Sequence, residues 1–147
     1  MKIISHLPLA ANQHARGSVC GVLLAIIFYT ACGVKPPGSE GITGAWERHE
    51  SNVRVEGEGI VSKILPDDTE GLRHQRFIVR LTSGQTVLID HNIDVAPRVE
   101  DLKPGDTIGF AGEYVWNQQG GLVHWTHRDL EGKHPAGWLK HNGRTYQ

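Results

Sequence analysis

Apolar and polar positions fall into three regimes along the chain. An uninterrupted apolar run from Val19 to Ala31 (VCGVLLAIIFYTA) is followed by a stretch without sustained period, from Val34 to about Asn52. From Val53 onward, short runs alternate apolar and polar residues between turn signals, the period-2 signature of strands half-buried in a sheet. Five such runs are read: Val53–Leu65, Gln75–Leu81, Thr86 to Ile89 and beyond, Thr107–Trp116 and Leu122–Thr126. Thr82-Ser83-Gly84 suits a three-residue hairpin loop with Gly in the left-handed position. Gly57 and Gly59 would let the long first strand coil sharply. Asp94–Leu102 leaves room for only a short helix between the third and fourth strands.

Three strands, a short helical connection and then a two-strand hairpin is the order of an OB fold, an all-β, five-stranded Greek-key barrel. An SH3-like barrel is the alternative. The segment after the fifth strand, Arg128–Gln147, lacks a clear period. Its Trp138, Leu139 and Tyr146 are expected to pack over one barrel end as a lid.

Composition narrows the picture. With 147 residues, 39% hydrophobic and 18 Gly, the chain suits one domain with a modest core and is too short for two. Four Trp and a charged fraction of 21% argue against wholesale disorder, and the Gly content argues against a helical bundle. A formal net charge of −1 excludes a nucleic-acid-binding polycation, although a local basic face is allowed.

Lys2, His6 and Arg16 precede the apolar run, whose length fits the core of an export signal better than a bilayer span. Tyr29-Thr30-Ala31-Cys32-Gly33 then resembles the bacterial lipoprotein box, in which the Cys is lipidated and becomes the new amino terminus. An uncleaved anchor and a secreted protein are the alternatives. The expected organisation is a signal peptide (1–31), a lipidated Cys32 with a flexible tether (32–52), and a barrel with its lid (53–147). Cleavage would remove Cys20 and leave Cys32 without a disulfide partner, so burial alone must hold the fold. The expected location is the periplasmic side of a bacterial envelope, with the membrane as partner through the lipid.

The hairpin sets a register. Val79 opposes Val87, Phe77 opposes Ile89 and Gln75 opposes His91 on the core face, while Ile78–Leu88, Arg76–Asp90 and His74–Asn92 share the other. Polar groups therefore gather at one end of the hairpin. His91-Asn92-Ile93-Asp94 puts imidazole, amide and carboxylate within four residues, a set able to orient a water, take a proton or bind a cation. Asn92 and Asp94 could equally cap the short helix that follows.

His124-Trp125-Thr126-His127-Arg128-Asp129, with His134 further on, is the second constellation. On a continuous strand His124 and His127 point to opposite faces, and only a bend would let them converge. Trp125 is expected in the core over Gly112, and Trp116 is the candidate exposed aromatic for stacking on bases or sugars. Asp67, Asp68 and Glu70 after the first strand read as a solvated turn or a divalent-ion site. A divalent metal is the cofactor candidate; without a HExxH helix it would have to be held by His and carboxylate. The chain has no GxSxG elbow, P-loop or dinucleotide fingerprint.

Taken together, Leu65-Pro66-Asp67-Asp68, Gly71, His74-Gln75-Arg76-Phe77, Gly84-Gln85, His91-Asn92-Ile93-Asp94, Ala96-Pro97-Arg98, Gly105-Asp106, Gly112-Glu113-Tyr114, Gly120-Gly121 and His124-Trp125-Thr126-His127 carry a resemblance. The chain resembles the short exported bacterial proteins grouped as domain of unknown function 3465, from about Val53 to Gln147. Leu130 departs from the family pattern, in which Pro often follows the Asp at position 129. The resemblance implies no activity.

The residues themselves suggest a His-centred hydrolase acting on phosphodiesters. His91 or His74 would be the base, Asn92 would orient water, Arg76 would stabilise developing charge, and His124 or His127 would be the acid. Gln75, Asp90, Asp94, Arg98, Trp116 and Asp129 complete the candidate ligand contacts. The alternatives are a non-catalytic barrel binding an oligosaccharide, a nucleic-acid strand or a protein, and a metal-binding envelope protein.

Overall fold

The computed structural model of the protein describes residues 39–147. The expected export signal, the expected lipidation site at Cys32 and the first part of the expected tether lie outside the described residues. Strands β1 (Val53–Ile64), β2 (His74–Arg80), β3 (Thr86–Asn92), β4 (Thr107–Val115) and β5 (Leu122–His124) close in the order β1-β2-β3-β5-β4-β1. β1 pairs with β4 from Val53 to Ile60 and with β2 from Ile60 to Ile64, the latter pairing shifting register between Val61 and Lys63. The barrel closes through a short parallel contact, Leu88 opposite Leu122 and Ile89 opposite Val123. This is the expected OB-type barrel.

The β2–β3 hairpin has the register expected from the Ser83-Gly84 turn, with Gly84 at φ 86°. Burial alternates along both strands, so Phe77, Val79, Val87 and Ile89 enter the core with Ile108, Phe110, Tyr114 and Val123. Each such side chain contributes about 1.5–3 kcal/mol by leaving water.

The expected helix between β3 and β4 is replaced by turns, and among the described residues the one helix is α1 (Ser39–Glu47), within the segment expected to be a flexible tether. Ile42 and Ala45, three apart and so on one face, are buried in the barrel core. Two indoles fasten the helix. Trp46 Nε1 donates to the Asn117 carbonyl and Trp116 Nε1 to the Trp46 carbonyl, each at 3.0 Å. Trp116 is thus half-buried against α1 and His49, and does not form the stacking platform expected of it.

Beyond the barrel, β6 (Trp138–His141) and β7 (Arg144–Tyr146) form a hairpin that extends the sheet from β4, with Leu139 opposite Phe110 and Tyr146 opposite Leu139. Leu139 and Tyr146 are core residues, so this segment is part of the sheet and not a lid. Its turn is Asn142-Gly143, both at positive φ, a two-residue hairpin signal that the sequence displays plainly.

Because Ile42 is fully buried, Ile42→Ala should lower the stability of the intact chain by about 2–4 kcal/mol in urea unfolding. A free tether would show no change.

Candidate functional site

Strand alternation lays the floor of a cleft on the outside of the barrel. Across the sheet, Arg76 pairs with Asp90, His124 with Glu113, and Glu113 with Arg54. Continuing the parallel register by one residue sets Asp90 beside His124. Of this row, Asp90 and His124 form the floor of the cleft together with the His74–Asn92 pair, while Arg54, Arg76 and Glu113 lie outside its lining.

The other wall begins where β5 stops. Trp125 takes φ 50°, which breaks the alternation. Thr126 then turns inward and is fully buried, while Trp125 and His127 both line the cleft. Glycine is required on both sides of this bend: a Cβ on Gly112 would lie 2.2 Å from the His124 carbonyl oxygen, and one on Gly137 2.0 Å from that of Trp125. Arg54 Nη1 donates to the Ala136 carbonyl at 2.6 Å and the Gly137 amide to the His127 carbonyl at 2.8 Å, holding the 125–137 loop to the sheet.

The cleft encloses about 560 Å³ and is lined by four imidazoles, His74, His124, His127 and His134. Three of them are fixed in one tautomer. Nδ1 of His74 lies 2.8 Å from the Leu72 carbonyl, that of His127 2.8 Å from Arg128 O and that of His134 3.0 Å from Pro135 O. A carbonyl only accepts, so Nδ1 carries the proton and Nε2 is the basic atom in each neutral ring. His124 and His134 stack on Trp125 at ring separations of 5.0 and 4.3 Å, and His127 meets His134 edge-on at 5.2 Å. Trp125 is therefore the exposed spacer of an imidazole stack, not the core residue expected over Gly112, where the Thr126 methyl packs instead.

Two buried polar atoms on the floor lack a hydrogen-bond partner: Asp90 Oδ1 and His124 Nε2. The latter lies 3.5 Å from Glu113 Oε1 without hydrogen-bond alignment. Burial pushes the Asp90 carboxyl above the usual carboxylate range, against the pull of His74 and Arg76. Among the described residues no group of three or more His, Cys, Asp or Glu is arranged to hold a metal ion. The same residues include no helix long and apolar enough to cross a membrane.

The family model described as "Protein of unknown function (DUF3465)" matches residues 27–147, the whole barrel together with every residue of the cleft. The chain belongs to this family. No curated protein matches it. The family description carries no activity, so the function of the DUF3465 barrel has to be argued from the cleft.

Of the residues proposed from sequence, His74, Asp90, Asn92, His124, His127 and Asp129 line the cleft together. His91 does not. It is fully buried, with Nε2 3.0 Å from the Pro97 carbonyl and Nδ1 2.8 Å from Thr126 Oγ1. Nε2 must donate to the carbonyl, so Nδ1 accepts from the threonine hydroxyl, and neither nitrogen is free to act as a base. Gln75 is also internal: its amide donates to Val99 O and accepts from Val99 N, imitating a strand pairing and holding the β3–β4 connection extended. Asp94 caps no helix. Its carboxylate receives the Arg73 amide and guanidinium, which hold it below the usual range.

Arg98 pairs with Asp67, and Arg76 donates to Pro66 O and lies 3.6 Å from Asp68; neither lines the cleft, and the acidic turn is occupied by these arginines. Asp129 lines the cleft, yet its carboxylate accepts the His134 and Glu131 amides, chiefly the former keeping it ionised. That turn brings His134 back to His127, and Asp129-Leu130-Glu131-Gly132 was its readable signal. Leu72, Val95 and Leu130, which also line the cleft, carried no signal of a site.

Burial lowers the His91 pKa from about 6.5 to about 4. Between these values the unfolded chain holds more protons than the folded one. Stability is therefore full above about pH 6.5 and falls toward pH 4, by up to about 3 kcal/mol from this ring. Urea midpoints measured from pH 7 to 4.5 should show this slope, and His91→Gln should flatten it; parallel profiles would contradict the assignment.

Proposed function

We propose that the cleft hydrolyses phosphodiesters through its imidazoles, in a protein exported to the periplasmic side of the envelope and held there by a lipid on Cys32. The observation that carries the reading is the set of three rings, each with Nδ1 committed to a backbone carbonyl, gathered in one open cleft. An imidazole so fixed presents Nε2 to the cleft as a base when neutral and as an acid when protonated.

His74 is carried by the sheet and His127 by the loop, so a phosphate between them meets one ring from each wall. One Nε2 takes a proton from water as its oxygen forms a bond to phosphorus, and the other, protonated, gives its proton to the departing alkoxide as that P–O bond breaks. Proton exchange with solvent restores the pair. His134, stacked on Trp125 and edge-on to His127, positions the loop ring. Arg128 supplies positive charge for the phosphoryl oxygens.

The test is turnover of a chromogenic phosphodiester, DNA and RNA by the intact protein, with and without chelator. His74→Ala and His127→Ala should each lower kcat by about 10²- to 10⁴-fold with near-UV circular dichroism unchanged. No turnover, or turnover indifferent to both substitutions, overturns the reading; saturable binding without product would identify a binding module.

A further inference from the structure

Five large apolar side chains stand exposed among the described residues: Ile64, Leu72, Val95, Trp125 and Leu130. All but Ile64 line the same cleft. They come from three separate loops, after β1, β3 and β5, and Leu130 is 92% exposed. Single exposed apolar residues need no explanation, but convergence of four on the mouth of one polar cleft does. Leu72, Val95 and Leu130 sit on three separate loops, with Arg73, Arg128 and Lys133 close to them in the sequence. Apolar side chains so separated suit insertion into a fluid apolar phase better than packing on a protein face, and long basic side chains beside them can remain in the polar layer.

The floor adds a second requirement. It carries both signs of charge: imidazoles and Arg128 for an anion, and Asp90, whose buried Oδ1 has no donor. An ammonium group is such a donor. A ligand matching floor and rim together bears a phosphate, a nearby ammonium and aliphatic chains.

We propose that the cleft docks onto a zwitterionic phospholipid bilayer and takes up an ethanolamine-type headgroup, with Leu72, Val95, Trp125 and Leu130 entering the interface. The phosphate meets His74 and His127, and the ammonium meets Asp90. The inference rests on the phosphodiester reading for its substrate, since the headgroup linkage is a phosphodiester, but docking does not require turnover.

The test reconstitutes the full chain, with Cys20→Ser and Cys32→Ser, into ethanolamine-lipid vesicles containing brominated acyl chains. A fluorophore is placed on Leu130→Cys, on Val95→Cys or, as control, on Ile64→Cys. Quenching at 130 and 95 should exceed that at 64 by about three-fold or more, because only the rim enters the bilayer. Replacing ethanolamine by glycerol headgroups should reduce rim quenching in the parent chain and have little effect in Asp90→Asn. Equal quenching at all three positions overturns the docking, and parent quenching indifferent to headgroup overturns the role of Asp90. Either failure, beside undiminished cleavage of a soluble diester, would leave the hydrolytic reading standing; quenching as expected without cleavage of any diester would reject that reading and keep the docking.

Discussion

The cleft depends on a hydrogen-bonded imidazole that is not part of it. His91 occupies a core position at the end of β3, and its two nitrogens bind the Pro97 carbonyl and the Thr126 hydroxyl. One ring thereby joins a strand, the loop that follows it and the loop that follows β5. Those two loops carry Val95 on one side and Trp125, His127 and His134 on the other. A hydrocarbon of the same size would fill the space but leave the Pro97 carbonyl and the threonine hydroxyl without this partner, a cost of about 1–3 kcal/mol for each buried group. The imidazole is thus required for satisfaction of polar groups, which explains its presence in the core without a catalytic role.

From that fixed point, the rest follows from strand geometry. Closure of the barrel by the β3–β5 parallel contact brings Asp90 alongside His124, and antiparallel pairing brings Glu113 to the other side. Had β5 continued as a regular strand, Trp125 would have faced the core and the histidines at 124 and 127 would have diverged. The left-handed conformation at Trp125, with glycines on both sides of the bend, redirects the chain so that both rings share one cleft. A bulky residue in that conformation carries backbone strain, and the packing of Thr126 and the anchoring of the loop by Arg54 and Gly137 maintain it.

The barrel and the β2–β3 register were legible because period-2 alternation and turn chemistry are local signals, and burial reinforces them. α1 was hidden because Ile42, Ala45 and Trp46 give only one helical repeat within a Gly-rich stretch, and its stability comes from docking. The β6–β7 hairpin was legible in Asn142-Gly143 and was obscured by the irregular residues before it. Sequence placed most of the cleft's polar groups, and the hairpin register set His91 on the core face and His74 on the other, yet residue type alone left both as candidate bases. Both are histidines at the end of the same hairpin, and one residue of register parity decides which is buried. Trp125 was misplaced because no propensity rule anticipates a tryptophan at positive φ; the contacts of Gly112 and Gly137 that favour it span distant parts of the chain.

The distribution of the site between sheet and loop has a consequence for how it would operate. The floor is rigid, since Asp90, Asn92 and His124 belong to strands closed on both sides. The loop is held by discrete contacts at its two ends, His91–Thr126 at one and Arg54–Ala136 at the other, while Leu130 between them is almost wholly exposed. Local opening therefore costs less at the loop than at the floor, because fewer buried apolar contacts are lost there. Ligand entry is best served by motion of that segment about its two fixed ends. The stack of His124, Trp125 and His134 returns the loop imidazoles to the same place against the sheet, as acid–base chemistry between two walls requires.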